Sequence, residues 1–235
     1  MKNSFWPIPW DSEQLKRFWE WQSQNMSDNY FTMKTSRSLI EVLSGRVRLK
    51  NSFVIDYGSG PGFFTEKLLS YGSKVIAIDQ SRASLDRLIK KFPTLEGVFT
   101  IDESAAVADS SADVVVLIET IEHLNEAARI KVLEEIKRLL KKGGILFITC
   151  PNSEDLSKSM VCCPNCGGVF HKVQHLVSYD AQSLERTLLA EGYADVHVGT
   201  TSFLSTGFSR RRKEFLAKLF NRKLPHLYAF ARKSS

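Results

Sequence analysis

Short runs of apolar residues alternate with amphipathic segments along most of the chain. The apolar runs have the length and composition of strands buried on both faces, and they span residues 53–55, 74–79, 97–101, 114–118 and 145–149. The amphipathic segments repeat apolar residues at the three- and four-residue spacing of a helix, and they span residues 63–70, 80–92 and 126–140. Strands that alternate with helices predict a parallel, doubly wound α/β sheet.

The C-terminal part of the chain extends this sheet. A helix is predicted over residues 181–191, ended by Gly192, and strands are predicted over residues 195–198 and 227–231. Between these two strands, residues 213–220 predict a basic helix. The fold class is therefore an α/β protein with a mostly parallel, seven-stranded sheet.

The first 50 residues are rich in tryptophan, phenylalanine and tyrosine and come before the first predicted strand. Capping and breaking residues predict helices over residues 12–23 and 34–43. The aromatic side chains of this segment either pack on the edge of the sheet or form a lid over a ligand. In the second case we expect Tyr30 and Phe31 to lie nearest to the ligand.

The first predicted strand runs into a glycine-rich turn at residues 56–62, DYGSGPG. Gly58, Gly60 and Gly62 occupy every second position, where glycine permits positive φ and leaves room for a ligand against the backbone. The helix that follows offers unpaired N–H groups to a polar or anionic ligand. The second strand ends in Asp79, a carboxylate placed to accept both hydroxyls of a ribose. The pattern predicts a nucleoside-binding site.

Composition narrows the class of protein. The chain has 235 residues, of which 43% are hydrophobic and 25% charged, as in ordinary globular proteins. No run approaches the ~18 apolar residues of a membrane span, and the first residues lack the apolar core of a signal peptide, so we expect a cytoplasmic protein. The net charge of +6 suggests an acidic partner such as nucleic acid, a nucleotide-sugar or a membrane surface, although basic runs are more often solvated faces. The basic residues cluster near the C-terminus, at Arg210, Arg211, Arg212, Lys213, Lys218, Arg222 and Lys223.

Four stretches together resemble the class I S-adenosylmethionine-dependent methyltransferases. They are VIDYGSGPG at residues 54–62, VIAIDQS at 75–81, ETIEHL at 119–124 and LLKKGGILFITCPN at 139–152. The resemblance covers roughly residues 50–235 and implies the Rossmann-like methyltransferase fold with S-adenosylmethionine as cofactor. It divides the chain into an N-terminal helical lid segment, residues 1–50, and a cofactor-binding domain, residues 51–235. The aromatic N-terminal segment resembles uncharacterised bacterial members of this superfamily.

The resemblance also assigns roles to individual residues. The residues implied to hold the methionine end of the cofactor are Asp56, Gly58, Ser59, Gly60 and Gly62. The residues implied at the nucleoside end are Asp79 at the ribose, Gln80 beside the adenine, and Asp102 with Glu103 near the adenine amino group. Glu119 follows the most apolar strand and is also expected to contact the cofactor.

A cysteine- and histidine-rich insertion is predicted at residues 158–176. Its pattern C-x2-C-x4-H-x3-H places Cys163, Cys166, His171 and His175 in one short loop, and these are ligands of the type that structural zinc sites use. In a cytosolic chain, clustered cysteines favour a metal site over a disulfide framework. The alternative is a polar insertion with reduced thiols.

A second cluster follows the central strand, where Glu119, Glu122 and His123 stand close together in sequence. With a later histidine, E-x-x-E-H is similar to small-RNA 3′-end 2′-O-methyltransferases, in which two Glu and two His bind a divalent metal. The same motif also occurs in small-molecule methyltransferases of this fold. There, Glu119, His123 and His175 would be catalytic, with one histidine as a general base or simply lining the site.

The sequence thus predicts a methyltransferase that modifies an oxygen or nitrogen atom of a small-molecule or sugar-type acceptor. The alternatives are a metal-dependent RNA 2′-O-methyltransferase and a non-catalytic module that binds S-adenosylmethionine without turnover. An NAD-dependent oxidoreductase is disfavoured, because the glycine spacing differs from the dinucleotide fingerprint G-x-G-x-x-G.

Overall fold

A computed structural model describes residues 5–25 and 30–234. Residues 1–4 and 26–29 of the predicted lid segment, and residue 235, lie outside the described part of the chain. The strands are β1 (Trp6–Pro7), β2 (Phe53–Tyr57), β3 (Lys74–Asp79), β4 (Gly97–Thr100), β5 (Ala112–Ile118), β6 (Leu140–Pro151), β7 (Met160–Cys162), β8 (Gly168–His171), β9 (Tyr193–Thr201) and β10 (His226–Lys233). The helices are α1 (Ser12–Gln24), α2 (Phe31–Ser44), α3 (Phe63–Ser70), α4 (Arg82–Lys91), α5 (Glu126–Leu139), α6 (Ala181–Ala190) and α7 (Gly207–Leu219).

Seven strands form the main sheet in the order β4-β3-β2-β5-β6-β10-β9. The first five are parallel, and β10 runs antiparallel to both β6 and β9. The predicted fold class, a mostly parallel seven-stranded α/β sheet, is confirmed. The strand order reverses direction between β2 and β5, so a crevice opens at the carboxyl ends of these two strands.

Helices cover both faces of this sheet. On one face α5 and α6 bury Leu133 and Leu184 against the strands. On the other face α2 and α3 bury Leu39 and Phe64 against the strands. The two apolar layers explain why β2, β3 and β5 read as continuous apolar runs, since their side chains are buried on both sides. None of the described helices combines the length and the apolar character needed to cross a lipid bilayer.

Some boundaries differ from the predicted ones. Strand β6 begins at Leu140, before Gly143 and Gly144, whereas the prediction ends a helix there and starts the strand at residue 145. Leu140 pairs with Ala112 of β5, so the glycines lie within an irregular part of the strand rather than between elements. Helix α7 begins at Gly207, whereas the prediction starts this helix at residue 213. The six additional residues are largely polar, so the apolar pattern did not mark them.

The predicted insertion folds as a small hairpin. Strands β7 and β8 pair with each other, and β1 adds to β8 in parallel, which gives a second sheet of three strands. Cys163 closes the turn through its backbone, with its N–H donating to Gly168 O at 2.8 Å and its carbonyl accepting from Gly167 N at 2.9 Å. The hairpin therefore ties the start of the chain to the segment that follows β6.

Candidate active site

The glycine turn after β2 lies at the switch point of the sheet. The N–H groups of Gly58 and Ser59 donate to the Ile78 carbonyl at 2.7 and 3.1 Å, and the N–H of Gly60 donates to an Asp79 carboxylate oxygen at 2.7 Å. The φ angles of Gly58 and Gly60 are 76° and 52°, in the left-handed region that favours glycine. The end of β3 thus holds the turn in place, and Asp79 lies directly at its rim.

Neighbouring side chains approach the turn closely. A Cβ atom at Gly58 would lie 2.7 Å from Thr120 Oγ1, and one at Gly60 would lie 2.5 Å from Tyr30 Oη. Ser59 is buried, and its hydroxyl has no hydrogen-bond partner among the described residues. A buried hydroxyl without a partner is costly, so the turn offers Ser59 Oγ to a polar ligand.

Two carboxyl groups flank this turn, Asp56 buried and Asp79 half-buried. Asp56 accepts a hydrogen bond from Thr65 Oγ1 at 2.6 Å, and burial raises the pKa of its carboxyl to about 7. Asp79 accepts from Gly60 N and, at 2.8 Å, from Ser81 N, while burial raises its pKa as well. The N–H groups of Gly60 and Ser81 therefore fix the orientation of the Asp79 carboxylate, which can still accept hydrogen bonds at the edge of the turn.

The residues predicted for the adenine end are less enclosed. Gln80 is half-buried after β3, while Asp102 and Glu103 are exposed in the short 3₁₀ helix after β4. Glu103 accepts the N–H of Thr100 at 2.9 Å and so caps this helix. The carboxyl end of β4 still places these side chains beside β3, and their contact with adenine stays a prediction.

Glu119 begins a second group of polar side chains at the end of β5. Its φ is 45°, an unusual conformation for a residue other than glycine and one that clusters at functional sites. Thr149 Oγ1 donates to its carboxylate at 2.8 Å, and burial raises the pKa of Glu119 to about 8. The Glu119 carboxyl therefore retains a proton near neutral pH.

Glu122, His123 and His175 converge next to Glu119. Glu122 is only 1% exposed, and neither of its carboxylate oxygens has a hydrogen-bond partner among the described residues. His175 Nε2 lies 4.0 Å from Glu122 Oε1, and the rings of His123 and His175 are 4.8 Å apart. Burial raises the pKa of Glu122 and lowers the pKa of His123 to about 3. Burial therefore keeps His123 neutral and leaves Glu122 as a buried carboxyl group without a hydrogen-bond partner among the described residues.

Hydrogen bonds assign the tautomers of the two rings. His123 Nδ1 lies 3.3 Å from the Gln174 carbonyl, and His175 Nδ1 lies 2.5 Å from Glu154 Oε2. A carbonyl and a carboxylate accept hydrogen bonds, so each Nδ1 carries a proton when its ring is neutral. The Nε2 atoms of both histidines are consequently acceptors, available to a proton or to a metal ion.

The structure does not bring together the predicted Cys163, Cys166, His171 and His175 set. Within residues 5–25 and 30–234, the groups of at least three metal-ligating atoms within 4.8 Å of one another are Glu122–His123–His175 and Glu154–His171–His175. The His171 ring is buried and stacks on His175 at 4.7 Å, so both rings face the acidic side chains instead of the exposed hairpin turn that carries the cysteines.

The N-terminal segment spans the glycine turn and the histidine group. Trp19 Nε1 donates to Gln174 Oε1 at 3.0 Å, and its ring lies 4.6 Å from that of His123. The Ser81 hydroxyl donates to Glu20 at 2.9 Å. Phe31 instead packs against Phe203 and His226, so Tyr30 rather than Phe31 is the residue at the turn.

Sequence reasoning missed the roles of three residues at this site, Trp19, Glu154 and Gln174. Gln174 is fully buried with φ of 60°, and its side chain also donates to the His123 carbonyl at 3.0 Å. Its position between two histidines in H-K-V-Q-H was the available signal. Glu154 and Trp19 carry no such signal, because their partners are distant in sequence.

The buried carboxyls predict how stability depends on pH. In the unfolded chain Asp56 and Glu119 lose their protons near pH 4, whereas in the folded chain their pKa values are about 7 and 8. The folded state therefore binds more protons, and stability falls as pH rises. His123 and His226, with folded pKa values of about 3 and 4, act in the opposite direction only below about pH 6.5.

Between pH 6.5 and 8, the free energy of unfolding should fall by roughly 1–2 kcal/mol in the presence of a chelator. Urea unfolding at closely spaced pH values measures this decline. The variant Glu119→Gln should show a shallower decline, because its side chain cannot titrate. A wild-type stability that rises across this window would contradict the assignment.

Comparisons with known proteins point to one family of enzymes. Residues 55–148 match a family model described as a methyltransferase domain. The chain is 31% identical over 109 residues to a ubiquinone biosynthesis O-methyltransferase of Pelagibacter ubique, covering 44% of each chain. It is 31% identical over 129 residues to a cypemycin N-terminal methyltransferase of Streptomyces, covering 52% of this chain and 51% of the other. The chain thus spans about half the length of the curated relatives it matches.

A solved structure shares the fold over nearly the whole chain. It is a 1,6-didemethyltoxoflavin N1-methyltransferase of Burkholderia thailandensis with bound S-adenosylhomocysteine. The TM-score is 0.65 at 17% sequence identity, and the match covers 99% of this chain and 94% of the other. At this identity the likeness establishes the arrangement of helices and strands.

Proposed function

Since the chain belongs to the class I S-adenosylmethionine-dependent methyltransferase superfamily, we propose that it transfers a methyl group to an oxygen or nitrogen atom of a small-molecule or sugar-type acceptor. The observation that carries this proposal is the glycine turn, in which the N–H of Gly60 binds the Asp79 carboxylate beside the unpartnered hydroxyl of Ser59. Relatives named for O-methylation and for N-terminal methylation support the reaction, and they leave the acceptor atom open.

The residues around the turn fit S-adenosylmethionine. Asp79 would accept the ribose hydroxyls, while the backbone of Gly58 and Gly60, with Ser59 and Asp56, would hold the methionine end. The bound cofactor supplies an electrophilic methyl group on a sulfonium that is already a good leaving group. The protein therefore contributes mainly by aligning the acceptor with the methyl group and by excluding water. Tyr30 and Trp19 would do this from the lid segment.

A proton leaves the acceptor atom when a hydroxyl or an amine is methylated. His175 is suited to take it, since Nδ1–H donates to Glu154 and leaves Nε2 as an acceptor on the side of Glu122. The carboxylate orients the ring and would stabilise the imidazolium that forms. His123 presents the same tautomer, but Trp19 packs against its ring edge-to-face and burial lowers its pKa to about 3, which makes it the weaker base. We therefore place the general base at His175, with His123 and Glu119 lining the acceptor pocket.

The variant His175→Ala should lower kcat about a hundredfold and leave the affinity for S-adenosylhomocysteine unchanged, because general-base catalysis contributes about that factor. Steady-state kinetics with the identified acceptor and calorimetric titration of S-adenosylhomocysteine measure the two quantities. His197→Ala is the matched control, since that histidine is exposed on β9. Equal kcat values for the wild type and His175→Ala would remove the base role.

The acceptor class is testable with labelled S-adenosylmethionine in a fractionated cell extract, with and without ribonuclease and a metal chelator. Label in the low-molecular-weight or glycan fraction, unaffected by ribonuclease, would support the proposal and provide a species to identify. Cofactor binding without transfer in any extract would favour the non-catalytic module.

A metal-dependent reaction on RNA is the second candidate, and the unpartnered Glu122 favours it. Glu122, His123 and His175 offer one carboxylate and two Nε2 acceptors, whose Nδ1 protons are fixed by Gln174 O and Glu154. This is the donor set and the outer hydrogen bonding that divalent metal ions use in proteins. A cation there would act as a Lewis acid at the ribose hydroxyls. Loss of label with both ribonuclease and chelator would place this candidate first.

Metal content distinguishes the Glu/His group from the cysteines. Elemental analysis of the purified protein is compared with Glu122→Gln and with the double variant Cys163→Ser/Cys166→Ser. Metal lost only from Glu122→Gln would support the Glu/His group. Zinc lost only from the cysteine variant would restore the structural zinc site expected from the sequence, and a metal-free wild type would count against both.

A further inference from the structure

Helix α7 and the residues that flank it carry the charge of the whole chain. Residues 204–223 contain seven basic residues and one acidic residue, a net charge of +6, which equals the net charge of all 235 residues. The acidic residue is Glu214, and it is paired with Arg210 at 2.9 Å. The six basic side chains other than Arg210 are exposed. The rest of the molecule is electrically balanced, so the cationic character is concentrated in one element.

The same helix exposes a stripe of large apolar side chains. Phe208, Phe215 and Leu219 are 83%, 66% and 64% exposed. At 100° per residue these three positions lie within about 40° of one another on the helix. The stripe runs from the second residue of the helix to its last, and Leu204 before the helix and Phe220 after it are also exposed.

The inward side of the helix is well defined. Ala217 is buried, Arg210 and Glu214 are partly buried, and Glu214 accepts a hydrogen bond from Thr201 Oγ1 at 2.6 Å. At the start of the helix, Gly207 N donates to a Glu41 carboxylate oxygen at 2.8 Å. The body of the protein therefore holds α7 in one orientation, with the apolar stripe directed away from it.

Cations border the stripe on both sides. By helical geometry Arg211 and Lys218 lie along one edge, and Arg212 lies along the other. An outward apolar stripe bordered by cations is the pattern of a helix that lies in the plane of a membrane surface, with the apolar side chains among the acyl chains and the cations at the headgroups. We propose that α7 docks this protein on the surface of an anionic lipid bilayer.

Two other partners fit the observations less well. RNA would use the cations and could stack bases on the exposed phenylalanines, but it would leave the aliphatic Leu204, Leu216 and Leu219 without an apolar partner. A second copy of the chain would cover the apolar stripe, but it would bring two clusters of +6 together. Anionic lipid satisfies the apolar and the cationic side chains at once.

Flotation of the full chain with vesicles tests the proposal. Vesicles of equal parts phosphatidylglycerol and phosphatidylcholine should bind the protein about tenfold more tightly than vesicles of phosphatidylcholine alone, and added salt should weaken the binding. The double variant Phe208→Ser/Phe215→Ser and the double variant Arg211→Gln/Lys218→Gln should each lose most of this binding.

The matched control is Ile89→Ser/Leu189→Ser, which removes two exposed apolar side chains from α4 and α6 and should float like the wild type. Circular dichroism establishes that all variants are folded. Three results would overturn the proposal. They are equal or absent binding to the two vesicle types, vesicle binding that survives Phe208→Ser/Phe215→Ser, and a light-scattering dimer that the same variant converts to a monomer. Tight binding of a single-stranded RNA oligonucleotide without vesicle binding would assign the cations to nucleic acid instead.

Discussion

Replacing Asp79 with alanine should weaken the binding of S-adenosylhomocysteine about a thousandfold. A carboxylate that accepts two ribose hydroxyls makes two charge-assisted hydrogen bonds, each contributing about 2 kcal/mol. Asp79 also accepts the N–H of Gly60, so its removal loosens the glycine turn on which the rest of the cofactor would lie. Isothermal titration calorimetry with S-adenosylhomocysteine measures the change, and kcat/KM for the cofactor should fall in parallel.

Asp86→Ala is the matched control, because it removes the same charge from an exposed position of α4. It should change the affinity by less than about twofold, since exposed ion pairs contribute little. Asp79→Asn keeps one acceptor oxygen and should give an intermediate affinity. If Asp79→Ala bound S-adenosylhomocysteine as tightly as the wild type, the nucleoside end of the cofactor would have to lie elsewhere.

Replacing Gly62 with alanine should lower the free energy of unfolding by about 3 kcal/mol. Its φ is 85°, which costs a residue with a side chain about 1–2 kcal/mol. A Cβ atom there would also lie 2.1 Å from Leu88 Cδ2, and Leu88 is fully buried, so the overlap adds about 1–3 kcal/mol. Thermal unfolding should show a melting temperature about 6–12 °C lower than that of the wild type.

Gly143→Ala provides the control for backbone strain alone. Its φ of 72° is similar, but no atom lies within 4 Å of the added Cβ. This variant should lose only about 1–2 kcal/mol. Equal losses at the two positions would mean that Leu88 moves aside without cost and that helix α4 packs less tightly against the turn than the structure indicates.

The sequence predicted the sheet well because its strands are buried on both faces. Burial on both sides produces continuous apolar runs, and β2, β3 and β5 were recognisable from them. The start of β6 was not recognisable, because Gly143 and Gly144 interrupt the apolar pattern of the sequence. Only the pairing of Leu140 with Ala112 extends the strand past them.

The candidate site likewise contains residues that the sequence could indicate and contacts that it could not. That Asp56, Asp79 and the glycines lie together was predictable, because they are adjacent to strand ends and parallel strands bring those ends to one edge. The bond between Trp19 and Gln174 joins residues 155 positions apart, and no local pattern encodes such a contact. The Cys/His spacing indicated a zinc site within one loop. In the structure His171 and His175 instead lie beside Glu154, a residue outside the motif.

The pairing of β1 with β8 has a consequence for the kinetics of ligand exchange. It fastens the chain ahead of α1 to the hairpin, with Ile8 N donating to Val169 O at 3.0 Å. The same hairpin leads into Gln174, which holds Trp19 of α1. An outward swing of α1 that exposes Ser81 must therefore also strain the segment that carries His175. The cofactor product and the methylated acceptor would then leave through one shared opening, and their release rates would rise and fall together.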